Sequence, residues 1–366
     1  MSKIKKFCSN NVVLIIAFVL AVITMFFVHP DEKYLEYFDF KTLSTLFLMM
    51  LIIAALKNMR VFVFLASVLI KDLKYTRRLV IALVFITFIG SMVLANDMAL
   101  LTFLPLTLTV FKSAKKEEYI PFTIIMQNIA ANLGGMILPF GNPQSLYIFN
   151  YFSLSTKEFV SIMFLPFIIS IALILGVCFF SKKEEVMHKT LIENKIDVKK
   201  LVVYLACFLS VLLCVFGIIP YEIIFLIIVA LMAFLDKKAF LKVDYSLLFT
   251  FACFFVFASN MSRIDVVTNF VSKLTSKNTL LTGVLSCQFF SNVPTAIFLS
   301  KFTSNVRELL LAVNIGGTGS LVASLASIIS FKIFSKEYPS SSKKYLLWFT
   351  IINFSFLIIL TILCMI

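Results

Sequence analysis

The sequence predicts an all-α polytopic membrane protein built as two inverted repeats, each with a re-entrant helical hairpin and a broken transmembrane helix, about 9 full spans plus two hairpins. Three observations lead there. Of 366 residues, 61% are hydrophobic, and the mean hydropathy of +1.02 means more apolar surface than one soluble core can hide. Apolar runs of roughly 15–22 residues recur from end to end, the length that crosses a ~30 Å hydrocarbon layer. Two of these runs carry nearly the same polar break, Asn132-Leu133-Gly134-Gly135 and Asn314-Ile315-Gly316-Gly317, and each follows another interruption, Asn96-Asp97 or Ser291-Asn292.

Charge gives the orientation. With residues 1–10 in the cytoplasm and the spans threaded alternately, 25 of the 33 Lys and Arg fall inside and 8 outside. Of the 19 acids, 10 fall inside and 8 outside, and Asp97 lies within the membrane. This is the positive-inside bias. It predicts a multi-pass protein of the bacterial cytoplasmic (inner) membrane, with the N-terminus cytoplasmic and the C-terminus outside. The formal net charge of +14 is then a topology signal, and no nucleic-acid partner is implied. The seven cysteines show no C-x-x-C spacing and read as packing residues. Lys3, Lys5 and Lys6 before the run at 12–28 resemble a signal peptide, but His29-Pro30-Asp31 is no small-residue cleavage site, so the run is a retained first span.

The first repeat covers 1–180. Its scaffold spans lie in 12–78, near 12–29 and 42–56. The stretch 61–70 gives about 15 Å of helix, too short to cross. Cations on both sides (Lys57, Arg60, Lys71, Lys74) mark it as an amphipathic arm on the cytoplasmic interface. Residues 79–111 are apolar except at Ser91 and Asn96-Asp97, and cations bound both ends. Two readings fit: two spans with Asn96-Asp97 outside, or a hairpin that enters and returns. The arms are short for full spans, which favours the hairpin. A broken helix at 119–152 and a span at 159–180 follow.

A charged cytoplasmic linker at 181–200 separates the halves. The second repeat, 201–366, has scaffold spans in 201–259, a hairpin at 280–302, a broken helix at 305–334 and a closing span at 345–366. Three crossings precede the second hairpin and two precede the first. The hairpins therefore open to opposite faces, and their tips converge near the midplane.

A helix broken inside the bilayer frees backbone N–H and C=O groups that hydrocarbon cannot satisfy. The freed carbonyls suit Na⁺ and the half-helix N-termini suit anions. Gly134, Gly135, Gly316, Gly317 and Gly319 permit the backbone angles, and Pro143 and Pro294 remove donors. A Gly pair can also simply let helices pack, but two pairs in matching context favour a site. Around them Ser91, Asn96, Asn142, Ser291, Asn292, Thr295, Thr318 and Ser320 offer donors and acceptors for a substrate and ion cage, though each alone can equally bridge helices. Asp97 is the membrane acid, functional by default. It can hold Na⁺ or exchange a proton, or reach water at a hairpin mouth. Lys301 and Arg307 read as solvated outer-loop cations. The sequence offers no catalytic residues: both histidines, His29 and His188, fall in loops, and no nucleophile or nucleotide motif occurs. The chain is therefore expected not to be an enzyme.

These residues resemble the ion transporter superfamily permeases. The resemblance runs through Ala95-Asn96-Asp97-Met98-Ala99-Leu100, Phe103-Leu104-Pro105-Leu106, Gly134-Gly135, Gly141-Asn142-Pro143-Gln144, Ser291-Asn292-Val293-Pro294-Thr295 and Asn314-Ile315-Gly316-Gly317. Within that superfamily the chain is most similar to the arsenite-efflux and Na⁺/H⁺-antiporter branch and to citrate-transporter-like permeases, with divalent anion:sodium symporters related. The resemblance implies a homodimer whose transport domain moves elevator-fashion against a scaffold. It also implies a Na⁺ position at Ser91 with Asn96 and Asp97. The dicarboxylate branch has Ser-Asn-Thr at both tips, whereas this chain has Ala95-Asn96-Asp97 and Ser291-Asn292-Val293, and Cys287 stands opposite Ser91. The expected function is secondary transport of a small inorganic or organic anion, or its neutral acid, across the lipid bilayer. No cofactor is expected beyond Na⁺ or H⁺ as coupling ion. A Na⁺/H⁺ antiporter and an arsenite efflux permease are the alternatives.

Overall fold

The computed structural model describes residues 11–186 and 196–365. Among the described residues the regular structure is helical, with one isolated bridge between Tyr75 and Glu185. Seven helices are long and apolar enough to cross a membrane, and several shorter apolar helices accompany them. Large apolar side chains such as Phe164, Leu165, Trp348 and Ile358 point outward, while Gln127, Asn128, Asn132, Asn142, Asn314 and Asn353 are buried. Polar inside and apolar outside is the arrangement a lipid solvent demands.

One group of helices gathers around α2 (Phe40–Asn58). Asp39 caps α2 by accepting from Thr42 N at 2.9 Å. Against α2 pack α9 (Val198–Val215), α10 (Tyr221–Leu235) and the one-turn α11 (Lys237–Phe240). Beside them α1 (Val12–Phe27) lies along α12 (Tyr245–Ser262), joined where Asn260 Nδ2 donates to Thr24 Oγ1 at 3.2 Å. At their ends Arg263 grips Asp31 through both guanidinium nitrogens, at 3.1 and 2.6 Å.

The second group contains two helical hairpins and two broken helices. The first hairpin is α4 (Thr76–Leu94) turning at Ala95 into α5 (Asn96–Ser113). After it, α6 (Ile120–Gly134) breaks and resumes as α7 (Pro143–Tyr151), and α8 (Thr156–Phe179) follows. The second hairpin is α14 (Thr279–Phe290) turning at Ser291 into α15 (Asn292–Leu299). Its broken helix is α16 (Val306–Ile315) resuming as α17 (Leu325–Glu337), and α18 (Ser342–Met365) closes the chain. Side-chain caps fix the N-termini of α8, α16 and α17. Ser155 accepts from Glu158 N, Asn305 from Glu308 N and Ser324 from Ser327 N. Glu308 also accepts from Leu280 N at 3.0 Å, tying the start of α14 to that of α16.

Helices cover the apolar stretches of the sequence, and α3 (Val61–Ile70) is a short one of 10 residues. Two features differ from expectation. The sequence predicts no element over 260–279, yet α13 (Asp265–Lys277) is helical there. It leaves Val266, Phe270 and Leu274 exposed at a spacing of four, an amphipathic pattern interleaved with enough Ser, Thr and Lys to hide from a hydropathy scan.

The linker was expected to be solvated throughout. Its first part, 181–186, is instead bound to the base of the first hairpin, while 187–195 lie outside the described residues. Thr76 N donates to Glu184 O and Val186 N to Lys74 O, both at 2.9 Å. Thr76 Oγ1 and Arg77 Nε donate to the carbonyls of Lys182 and Ser181. Lys116 pairs with Glu184, and that hydrogen bond holds the Glu184 carboxyl below, and the Lys116 ammonium above, its ordinary range. The depressed Glu184 contributes at neutral pH and loses its contribution as pH falls through its lowered value. Glu184→Gln is therefore expected to speed amide exchange modestly at Thr76 and Val186 near pH 7, the pair being solvent-exposed. The variant should match the wild type in strong acid, as exchange mass spectrometry would read.

Candidate functional site

Both hairpins turn through the same rare backbone. Ala95 has φ 61° and ψ 156°, and Ser291 has φ 71° and ψ 158°. This is a region almost reserved for glycine, and it costs a side-chain-bearing residue about 1–3 kcal/mol. Such strain persists only where the surrounding structure over-determines it, and it recurs at equivalent points of the two hairpins. Immediately after each turn an asparagine folds back: Asn96 Oδ1 accepts from Asp97 N at 3.0 Å, and Asn292 Oδ1 from Val293 N at 2.9 Å. The second tip is fixed further where Asn292 N and Ser291 Oγ both donate to Ala323 O.

The first break runs from Gly134 through a short 3-10 turn to Asn142, which is extended, and Pro143 restarts the helix without needing a donor. Gly134 lies directly against Phe88 O and Ser91 Oγ, where a Cβ has no room. Ser91 Oγ itself donates to Phe88 O at 2.8 Å. Gly135 is pressed in the same way against Asn142 Oδ1 and Gly141 O. The second break occupies 316–324. Thr318 Oγ1 donates to Ile315 O and Ser320 Oγ to Gln288 O.

Two asparagines join the breaks. Asn132 Oδ1 accepts from Asn96 Nδ2 at 3.1 Å, and Asn132 O accepts from Asn142 Nδ2 at 3.3 Å. Asn314 Oδ1 accepts from Asn142 Nδ2, Gln144 Nε2 and Ser145 Oγ, at 3.3, 3.4 and 2.9 Å. Gly317 sits where a Cβ would meet Asn292 Nδ2 at 3.0 Å and Asn132 Oδ1 at 3.4 Å. Residues from both hairpin tips and both breaks therefore share one buried polar centre. Asn314→Ala would leave Gln144 Nε2 and Ser145 Oγ without an acceptor, at about 1–3 kcal/mol for each group left unpaired, while Asn142 Nδ2 keeps Asn132 O. A marked fall in the thermal midpoint in detergent is the expected result.

Within this centre five buried atoms have no hydrogen-bond partner: Asp97 Oδ1, Asn142 Oδ1, Gln144 Oε1, Asn292 Nδ2 and Thr295 Oγ1. Buried polar groups are normally paired, so such a cluster points to a ligand. Beside it Asp97 lines a largely apolar cleft with Met49, Met50, Phe140 and Pro143, and Lys242 and Asp244 line it too. Among the described residues no three His, Cys, Asp or Glu side chains cluster as a metal cage. The oxygen donors at the centre are amides, a hydroxyl and a carboxylate, a set that suits a hard cation.

The structure brings Asn96, Asn142, Asn292 and the breaks of Gly134–Gly135 and Gly316–Gly317 together, with Asp97 opening to the cleft. The hydroxyls of Ser91, Ser291, Thr318 and Ser320 donate to backbone carbonyls. Lys301, expected to be solvated, lies over the Tyr151 ring at 4.7 Å. Sequence reasoning placed Asn132 and Asn314 in the motif without seeing them as hubs, and it passed over Ser145 and Gln288. Their signal is the same for all: an amide or hydroxyl inside an apolar helix, within a turn of a glycine break or hairpin tip.

Broken helices around a buried polar centre, inside a shell of lipid-facing side chains, define a multi-pass membrane transporter. The chain belongs to the citrate transporter family, whose family model, described as Citrate transporter, matches residues 6–308. It is 33% identical over 309 residues to an uncharacterized transporter of Methanocaldococcus jannaschii, covering 84% of each chain. It is also 28% identical over 337 residues to an inner membrane protein of Escherichia coli, covering 88% of each. The family match ends before the second break, which stands on its own geometry.

Proposed function

We propose that the chain is a secondary active transporter of a small organic anion of the carboxylate class, or of its neutral acid, driven by a Na⁺ or H⁺ gradient in the bacterial cytoplasmic membrane. The observation that carries this is the split among the unpartnered atoms. Asp97 Oδ1, Asn142 Oδ1 and Gln144 Oε1 are acceptors that suit a cation or proton, while Asn292 Nδ2 is a donor that suits a carboxylate oxygen. Membership of the citrate transporter family favours carboxylates over arsenite.

The closely similar tip geometry of the two hairpins supports an inverted-repeat reading with both tips re-entrant. An elevator movement is supported by the division into two helix groups, and a homodimer is part of this proposal by family resemblance alone. The α2 group meets the hairpin group across the cleft at Asp97 and through Asn150 Nδ2 donating to Thr42 Oγ1 at 3.0 Å. Lys242 and Asp244, which also line the cleft, fall on the cytoplasmic side by the charge count, and this supports reading the Asp97 pocket as facing inward.

Reconstituted vesicles tested with radiolabelled citrate, smaller dicarboxylates, sulfate and arsenite, under an imposed Na⁺ or pH gradient, check the reading. A carboxylate should accumulate only while a gradient lasts. Sodium-driven proton flux without any carboxylate would make the protein an antiporter instead, and gradient-driven movement of arsenite alone would reassign the substrate.

A further inference from the structure

The second break is closed by a side chain that the first break lacks. Gln288 lies on α14, one turn before Asn292. Its Nε2 donates to Gly316 O at 3.0 Å and Thr318 O at 3.3 Å, besides Val284 O in its own helix. Its Oε1 accepts from Ser320 N at 2.8 Å, and its backbone carbonyl accepts from Ser320 Oγ at 2.9 Å. Gly319, at φ 111°, sits so close to Gln288 Oε1 that no Cβ fits. Carbonyls freed by a broken helix are the groups that take a coupling cation. Here a carboxamide NH₂, the positive end of an amide dipole, already stands between two of them.

Among the described residues no side chain of the first hairpin does this: at the first break the Asn132 carbonyl accepts instead from Asn142 Nδ2, beyond the break, at 3.3 Å. Counting back from the tip asparagines, Gln288 corresponds to Met92, whose thioether donates no hydrogen bond. Beside the tips and breaks, the unpartnered carboxylate and amide oxygens, on Asp97, Asn142 and Gln144, belong to the first half, whereas the second half offers the Asn292 amide nitrogen and the Thr295 hydroxyl there.

We propose that Gln288 is a built-in replacement for a coupling cation, so that the second break binds none and the carrier couples to a single cation held by the first half. This rests on the reading of the chain as a gradient-coupled carrier. Gln288 acts as a positioning residue: it closes the second break in the shape an ion would otherwise impose. Removing the amide donor exposes Gly316 O and Thr318 O to whatever cation is present.

The test is equilibrium binding of radioactive sodium to the purified full chain in detergent. It compares wild type, Gln288→Met (the residue of the first-half register), the isosteric Gln288→Glu, Asp97→Asn, and each Gln288 variant combined with Asp97→Asn. Each Gln288 variant should bind one more sodium per chain than its parent, in either Asp97 background. Each should also gain a thermal midpoint that rises with sodium over choline, which a purely structural strut would not produce. The increment is the same whether the first half uses Na⁺ or H⁺. Two sodium ions on the wild-type chain, or Gln288 variants that fold with an unchanged sodium count, would overturn the proposal. So would failure of both variants to fold even in sodium. If Asp97→Asn loses no sodium from a sodium-binding wild type while the Gln288 variants gain one, the role of Asp97 fails and that of Gln288 stands.

Discussion

Replacing Asp97 by asparagine is expected to uncouple transport from its driving ion while leaving the fold in place. The side chain is half-buried at the first hairpin tip, with Oδ1 buried and unpartnered beside the cleft. Asparagine keeps its shape and the backbone contact of Asn96 Oδ1 with residue 97 N, but it carries no charge. A hydrogen bond or ion contact to a charged group is worth about 1.5–3 kcal/mol, which corresponds to roughly a 10- to 100-fold loss in apparent affinity for the coupling cation. If the coupling ion is a proton, the pH dependence of uptake should flatten instead, because asparagine does not titrate. Uptake measured across sodium concentrations and across pH separates the two. A variant that transports with unchanged sodium and pH dependence would remove Asp97 from the mechanism.

Filling the space at Gly317 should abolish substrate binding. Its missing Cβ is the gap between Asn132 Oδ1 and Asn292 Nδ2, one amide from each half. Gly317→Val places three carbons there, crowding the unpartnered Asn292 donor. Overpacking of this kind costs about 1–3 kcal/mol, and the donor also becomes inaccessible to an anion. We expect no detectable uptake from a folded, purified protein. Gly176→Ala is the contrasting change. That helical glycine has open space around it, and alanine there should leave transport unchanged and add about 0.5–1 kcal/mol of helix stability. Gly317→Val with normal uptake would place the substrate elsewhere.

Much of this could be read from the chain because membrane physics is strict. A charge or an amide in an apolar run must be placed somewhere, so Asn96-Asp97, Ser291-Asn292 and the two Asn-x-Gly-Gly breaks stood out, and they are the hairpin turns and helix breaks of the structure. What stayed hidden depends on partners distant in sequence. Asn314 becomes a hub only because α7 delivers Asn142, Gln144 and Ser145 to its carbonyl oxygen. Gln288 looks like a tolerated polar residue on a hairpin arm until Gly316, Thr318 and Ser320 fold around it. The binding of 181–186 to Thr76 is made of backbone groups and was invisible to composition. The matched positive φ at Ala95 and Ser291 was equally hidden, since neither residue type announces it.

The central claim is that one buried centre, shared by both halves, couples an anion to a cation gradient. Concentrative uptake by reconstituted vesicles tests it most directly. Radiolabelled citrate or a smaller carboxylate should rise inside above the external concentration under an inward sodium or proton gradient. That accumulation should collapse when an ionophore dissipates the gradient, and it should be missing in vesicles carrying Asp97→Asn. Equilibration to the external level with or without a gradient, identical in the variant, would contradict the account.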